Sequence, residues 1–169
     1  MVAKMDATRY KQKINDVIEK CPIEAGVEIL VYNLIDECVD DNLYSLVDIN
    51  RMWKKQDSRL ITEAGVPDIA VLSKDFIFGN EDKGGVYGFV EVKSPGISLR
   101  ETAQLIGGKH DSSHYIYTNG LVWKCYENGT QKEFNLMIKK LPYTLSSVEI
   151  DENELLNLLE YLKKIDWKN

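Results

Sequence analysis

The chain has 169 residues, 44% hydrophobic and 28% charged, the composition of a soluble globular domain with mass enough for its own core. Its formal net charge of −6 argues against a protein that coats nucleic acid nonspecifically, because such affinity comes from Lys and Arg neutralising phosphates. No apolar run approaches the ~20 residues that cross a bilayer. Residues 1–13 lack the apolar core of a signal peptide, so a cytoplasmic protein without membrane contact is expected.

In chain order, residues 6–20 place Tyr10, Ile14, Val17 and Ile18 at helical spacing. After Cys21-Pro22 a more apolar helix is expected from about Ile23 to Cys38, with the stripe Val27, Leu30, Val31, Leu34, Ile35 and Cys38. Leu43 to Ile49 reads as a strand, Asn50 to Gln56 as a helical turn or the same ribbon continued, and Arg59 to Thr62 as a short strand. Arg51, Lys54, Lys55 and Arg59 form a local basic cluster, equally readable as a solvated face or a phosphate-contacting one.

Ile69 to Leu72 is the next strand, with Phe76-Ile77-Phe78 read as an extension of the sheet and 79–85 (GNEDKGG) as a hairpin loop. Val86 to Val92 returns and should pair antiparallel with it. Ser94-Pro95-Gly96 is a turn. Ser98 and Glu101 then match a capping box, which predicts a helix that Gly107-Gly108 stops. His110 and His114 follow and read as a solvated polar loop. Tyr115 to Thr118 and Leu121 to Tyr126 are strands joined at Asn119-Gly120, and Gln131 to Ile138 is an edge strand. An amphipathic helix from about 151 to 165, built on Leu155, Leu156, Leu158, Leu159 and Leu162, closes the chain. Cys21, Cys38 and Cys125, at unrelated spacings, read as buried thiols rather than disulfides or zinc ligands. The order predicts one α/β domain over 1–169, a central mixed sheet of four to six strands flanked by helices.

The chemistry concentrates in two of these strands. Pro67-Asp68 opens one apolar run, and Glu91-Val92-Lys93 ends the next. Strand side chains alternate, so Glu91 and Lys93 share one face while Val90 and Val92 fill the other. Two carboxylates aimed at one spot suit a hard cation such as Mg²⁺, which keeps water ligands and takes one or two carboxylates plus a substrate phosphate. Asp68 and Glu91 are the expected metal ligands, with the Val92 backbone carbonyl as a further one. A bound divalent ion would polarise a phosphoryl oxygen and acidify the attacking water, and Lys93 would position that water and stabilise the developing charge.

Pro67-Asp68 with Glu91-Val92-Lys93 resembles the PD-(D/E)xK nuclease signature. The segment Glu24-Ala25-Gly26-Val27-Glu28 looks like the acidic first helix of that superfamily, and Gln104-Leu105 like the glutamine that several branches place beside the lysine. The run from Tyr115 through Thr118-Asn119-Gly120 to Trp123 is similar to the TNG strand turn of the type I restriction enzyme R-subunit N-terminal nuclease group. The resemblance covers about residues 23–127. It implies a restriction-endonuclease-like fold, a Mg²⁺-dependent deoxyribonuclease (Mn²⁺ substituting), and an endonuclease of restriction, defence or mobile-element type. It also implies catalytic roles for Asp68, Glu91, Lys93, Gln104 and a helix acid, with Glu24 preferred to Glu28. DNA is the implied partner, with RNA, a homodimer and a targeting protein left open. The tyrosine that usually follows the glutamine is absent: Ile106-Gly107-Gly108 occupies that stretch. No GxxxxGK[ST] loop occurs, so ATP-driven translocation is not expected of this chain. The alternative reading is a silent nuclease-fold module that binds nucleic acid or a protein without cutting.

Overall fold

The structure is a computed structural model and describes residues 4–52, 56–100, 112–138 and 147–169. Six strands form one sheet in sequence order: β1 (Tyr44–Asp48), β2 (Ile69–Ser73), β3 (Val86–Val92), β4 (His114–Thr118), β5 (Val122–Glu127) and β6 (Thr130–Asn135). All neighbours pair antiparallel except β3 and β4, which are parallel. A parallel pair needs a crossover rather than a tight turn, and residues 93–113 supply it. The β5–β6 hairpin turns on Asn128 (φ 48°) and Gly129 (φ 85°), which gives the two left-handed residues of a tight two-residue loop.

Among the described residues three helices cover one face of the sheet: α1 (Ala7–Lys20), α2 (Glu24–Asp36) and α3 (Glu152–Lys164). Asp6 and Asp151 cap the first and last by accepting from backbone N–H groups of the first turn. Tyr10 and Ile14 of α1, Val27, Leu30 and Leu34 of α2, and Leu155, Leu158 and Leu162 of α3 meet Ile69, Val71, Val90, Val92, Ile116 and Trp123 of the sheet. Leu156, in contrast to the expected stripe, is solvent-exposed at the α3 surface.

The opposite face carries the alternate residues. Ala70, Leu72, Phe89, Tyr115, Tyr117 and Tyr126 form a second apolar layer with Ile49, Leu60 and Leu99. Asp68 and Glu91 are in phase with Ala70 and Phe89, so they belong to this second face. Among the described residues no helix is long and apolar enough to cross a membrane.

Four expectations are corrected. Residues 59–62 are not a strand: Ser58–Leu60 is a 3-10 turn, because Asp57 accepts from the Arg59 N–H and holds its guanidinium as well. Phe76-Ile77-Phe78 does not extend the sheet either. Ser73 and Phe76 close a turn, and Ile77 only bridges to Asn80. His114 lies buried in β4, its ring edge-on to Trp167 at 5.3 Å, rather than in a solvated loop. Cys21 is exposed, Cys38 half-buried and Cys125 buried, and all three are free thiols.

His114 and Gly88 together seat the C-terminal Trp167. A Cβ at Gly88 would lie 2.7 Å from Trp167 Cζ3 and 3.0 Å from the His114 carbonyl oxygen. Gly88→Ala therefore overpacks the sheet, and a loss of about 1–3 kcal/mol is expected. In thermal unfolding, that is a drop of about 2–4 °C for each kcal/mol. An unchanged midpoint would mean Trp167 is not held against the sheet.

Candidate active site

Asp68 and Glu91 are brought together by strand register. Ile69 pairs with Val90, so one step further places Asp68 opposite Glu91, and the Asp68 N–H donates to the Val90 carbonyl at 3.2 Å. The Val92 N–H donates to Asp68 Oδ2 at 2.7 Å, which fixes the carboxyl at the end of β2. Lys93, one residue beyond β3, is anchored by its own N–H to the Thr118 carbonyl at 2.8 Å. Its Nζ contacts Glu91 Oε1 at 3.0 Å. Asp68 and Glu91 are buried, and Lys93 is partly so.

Burial makes these charges costly and shifts their titration. The Glu91 carboxyl is pushed up to about 7, first by burial and then by the Asp68 charge, with Lys93 opposing. Asp68 rises to about 6, again chiefly by burial, despite the Val92 N–H that favours its charged form. Burial opposes the charge on Lys93, but the Glu91 carboxylate outweighs it, so the ammonium is held charged. The Glu24 charge raises all three groups, so this helix acid lies within electrostatic reach of the Asp68–Glu91–Lys93 set.

Glu28, one turn further along α2, is engaged differently. It is buried, accepts from Asn50 Nδ2 at 2.9 Å, and is pushed up to about 8 by burial, by a hydrogen bond with Asp48 and by the Asp48 and Asp68 charges. Asp48 was not singled out in the sequence. It is in phase with Tyr44 and Leu46, toward α2, and pairs with Ile69 across the β1–β2 ladder. The neighbouring Ile49 N–H donates to the Asp68 carbonyl at 2.8 Å, so the end of β1 abuts Asp68 directly. The readable signal was the strand-terminal Asp in Leu46-Val47-Asp48-Ile49-Asn50.

The TNG segment wires the crossover into place. Buried Asn119 accepts from Leu121 N–H and Val122 N–H through Oδ1 and donates from Nδ2 to the Ile97 carbonyl at 2.8 Å. Lys124 Nζ donates to the Leu99 carbonyl at 2.8 Å. These bonds hold 97–99 beside the ends of β4 and β5. Gln104, the predicted helix around it, and His110 lie outside the described residues. In the basic cluster, Arg51 is exposed and Arg59 is bound to Asp57, while Lys54 and Lys55 also lie outside the described residues.

Among the described residues no group of three or more His, Cys, Asp or Glu side chains forms a metal cage. The donor set nevertheless suits Mg²⁺, which takes one or two carboxylates and completes its shell with water and substrate oxygens. Among the described residues, Lys93 is the cation acting on Asp68 and Glu91, and the clustered acids leave a deficit of positive charge that a cation would relieve.

No protein-family model matches the chain, and no curated protein matches it. Among solved structures, it is similar to a chain of the cryo-EM structure of a DrdV–DNA complex, with a TM-score of 0.57 at 12% identity, over 94% of this chain and 96% of that one. At that identity the likeness concerns the fold: α/β and restriction-endonuclease-like, with a mixed six-stranded sheet flanked by helices.

Proposed function

We propose that this protein is a PD-(D/E)xK nuclease that hydrolyses DNA phosphodiester bonds, acting as an endonuclease. The observation that carries this reading is the convergence of buried Asp68 and Glu91 from adjacent strands with Lys93 3.0 Å from Glu91. An isolated buried carboxylate is expensive, and two facing each other more so, unless a cation shares the site. The DNA in the similar DrdV complex supports the substrate class.

Asp68 and Glu91, with the Val92 carbonyl, would hold Mg²⁺ or Mn²⁺. When bound, the cation polarises a phosphoryl oxygen and lowers the pKa of a water. Asp68 contributes a carboxyl whose orientation is preset by the Val92 N–H, so little reordering accompanies binding. Lys93, kept charged by Glu91, orients the attacking water and stabilises the negative charge that develops on the phosphorane oxygens. Glu24 holds the field of the site negative from the helix side, and Gln104 would orient Lys93 or the water. A second protomer or a targeting protein would supply the second cut or the choice of site.

The reading is tested by incubating the purified protein with supercoiled plasmid, single-stranded DNA and RNA, each with Mg²⁺, Mn²⁺ or EDTA. Nicked and linear plasmid is expected with either metal and none in EDTA. If the protein retards DNA in a gel but leaves every substrate intact with both metals, the chain is instead a nucleic-acid-binding module with a silent site.

A further inference from the structure

An open cleft of about 900 Å³ runs along the outer edge of β1, within the size range of small-molecule sites. At one end it is lined by Glu28, Asp48 and Asn50, which adjoin Asp68 as described above. Ser45 and Val47 continue along it with Leu72 and Ser73 of β2 beside them, and Phe76 and Phe78 line it beyond the far end of β1. From Asp48 to Ser45 the strand advances about 10 Å. The cleft thus begins at the candidate active site and ends in apolar and aromatic surface.

That far wall is built rather than incidental. Arg59 holds it through a set of contacts that the chemistry at Asp68 does not use. Its Nη2 pairs with Asp57 Oδ2 at 2.7 Å and donates to the Ile77 carbonyl at 2.9 Å, while Nη1 donates to the Lys83 carbonyl at 2.8 Å. The Gly79 N–H donates to Asp57 Oδ2 at 2.9 Å, and the guanidinium lies 3.9 Å from the centre of the Phe76 ring. A buried carboxylate and a nearly buried guanidinium thereby fix the loop that presents Phe76 and Phe78. Phe78 stays 53% exposed on this tied loop, its side chain open to the cleft. Arg51 and Lys74, both exposed, also line the cleft and offer charge for backbone phosphates.

From this we infer that the β1 cleft receives an unpaired base of the substrate, stacked on Phe78 beside Lys74, when a phosphate further along the same strand, passing Arg51, lies at Asp68 and Glu91. The inference rests on the nuclease reading for its substrate and adds a substrate class: DNA with single-stranded or extrahelical nucleotides a short way along the strand from the cut. Stacking on an aromatic ring tolerates any base, so the cleft selects strand state, not sequence. The apolar and aromatic wall at the far end suits a base, and exposed Arg51 nearer the site end offers charge to an intervening phosphate. The overall charge of −6 fits such a mode, since stacking replaces part of the attraction that a basic surface would supply.

The test is binding of the wild-type chain in EDTA, where no cutting occurs, followed by fluorescence anisotropy. One probe is a blunt hairpin duplex, and the other the same duplex with a single-stranded overhang carrying 2-aminopurine. The overhang should bind more tightly, and the 2-aminopurine should be quenched by stacking. Phe78→Ala should weaken the overhang complex about tenfold and leave the blunt one little changed. Phe78→Trp should restore it, which a merely structural role would not give. Equal losses on both probes, or none, would overturn the inference, as would sedimentation showing that Phe78→Ala dissociates a dimer seated on this cleft. Overhang preference in a protein that never cuts would sink the nuclease reading alone. Cutting that ignores strand state and Phe78 would sink only the cleft.

Discussion

Lys93→Ala is expected to lower the cleavage rate about 10²–10³-fold while leaving Mg²⁺-induced thermal stabilisation in place, whereas Asp68→Asn should remove both. The two variants separate because the two side chains do different work. Lys93 is a cation, so it cannot ligate a metal; in the proposed mechanism its loss removes a charge that acts on the reacting phosphate. The lost stabilisation falls within that of a single preorganised donor in other charge-developing sites, about 3–4 kcal/mol of barrier. Asp68 offers an oxygen ligand held by the Val92 N–H, and the amide keeps the shape but loses the charge. Its removal should therefore weaken Mg²⁺ binding as well as turnover. Melting curves with and without 10 mM Mg²⁺, beside plasmid cleavage rates, read both effects. If Lys93→Ala abolishes the Mg²⁺ response too, Lys93 holds the acids in place rather than acting on the phosphate. If Asp68→Asn still cuts at the wild-type rate, the site lies elsewhere in the molecule.

The pair at the heart of this site was legible because its logic is local. Alternation in β3 fixes Glu91 and Lys93 on one face, and a short antiparallel connection to β2 brings Asp68 opposite, so three residues could be placed from sequence spacing alone. Glu28 and Asp48 were harder. Their contact depends on α2 packing over the end of β1, two elements whose mutual placement is set by the core leucines and valines of the helix face rather than by anything near the acids. The spacing of Glu24 and Glu28 says that they share a side of α2. It does not say that one turn of helix separates a residue beside Glu91 from one beside Asp48. Arg59 misled for a similar reason. Read along the chain it belongs to a basic run, but it turns inward because Asp57, two residues earlier, offers both of its oxygens. Short-range patterns of hydrophobicity cannot register a buried ion pair that closes a 3-10 turn. His114 also escaped, since Gly107-Gly108 and Ser112-Ser113 suggest a loop, while the parallel pairing of β4 with β3 begins at His114 itself.

In EDTA the wild-type protein should become less stable as pH rises from about 5 to 8, contrary to the behaviour of proteins rich in paired carboxylates. The sign follows from the direction of the shifts. Glu91 titrates from 4.5 to about 7, and Asp68 from 3.8 to about 6, so between the unfolded and folded values the native chain holds protons that the unfolded chain has released. Glu28, pushed up to about 8, adds to the same fall, so stability declines with pH through the window and levels off only above about pH 8. For Glu91 alone the ionised form costs about 3 kcal/mol at pH 8, the attraction of Lys93 already included. Asp57 works the other way, since Arg59 holds it down at about 2, but its contribution is lost only below pH 4 and leaves the window untouched. Glu91→Gln should thus raise the melting temperature at pH 8 by about 3–6 °C, reflecting a net gain of about 1–2 kcal/mol, with little gain at pH 4.5. Adding Mg²⁺ should stabilise the wild type most at pH 8, where both carboxyls are charged, and should do so far less in Glu91→Gln. A wild-type stability that is flat or rising over pH 5–8 in EDTA would mean that Asp68, Glu91 and Glu28 relax into solvent instead of staying buried together. The combination of a destabilising pair of charges at working pH and recovery by a divalent cation is what a site kept for chemistry, rather than for folding, should display.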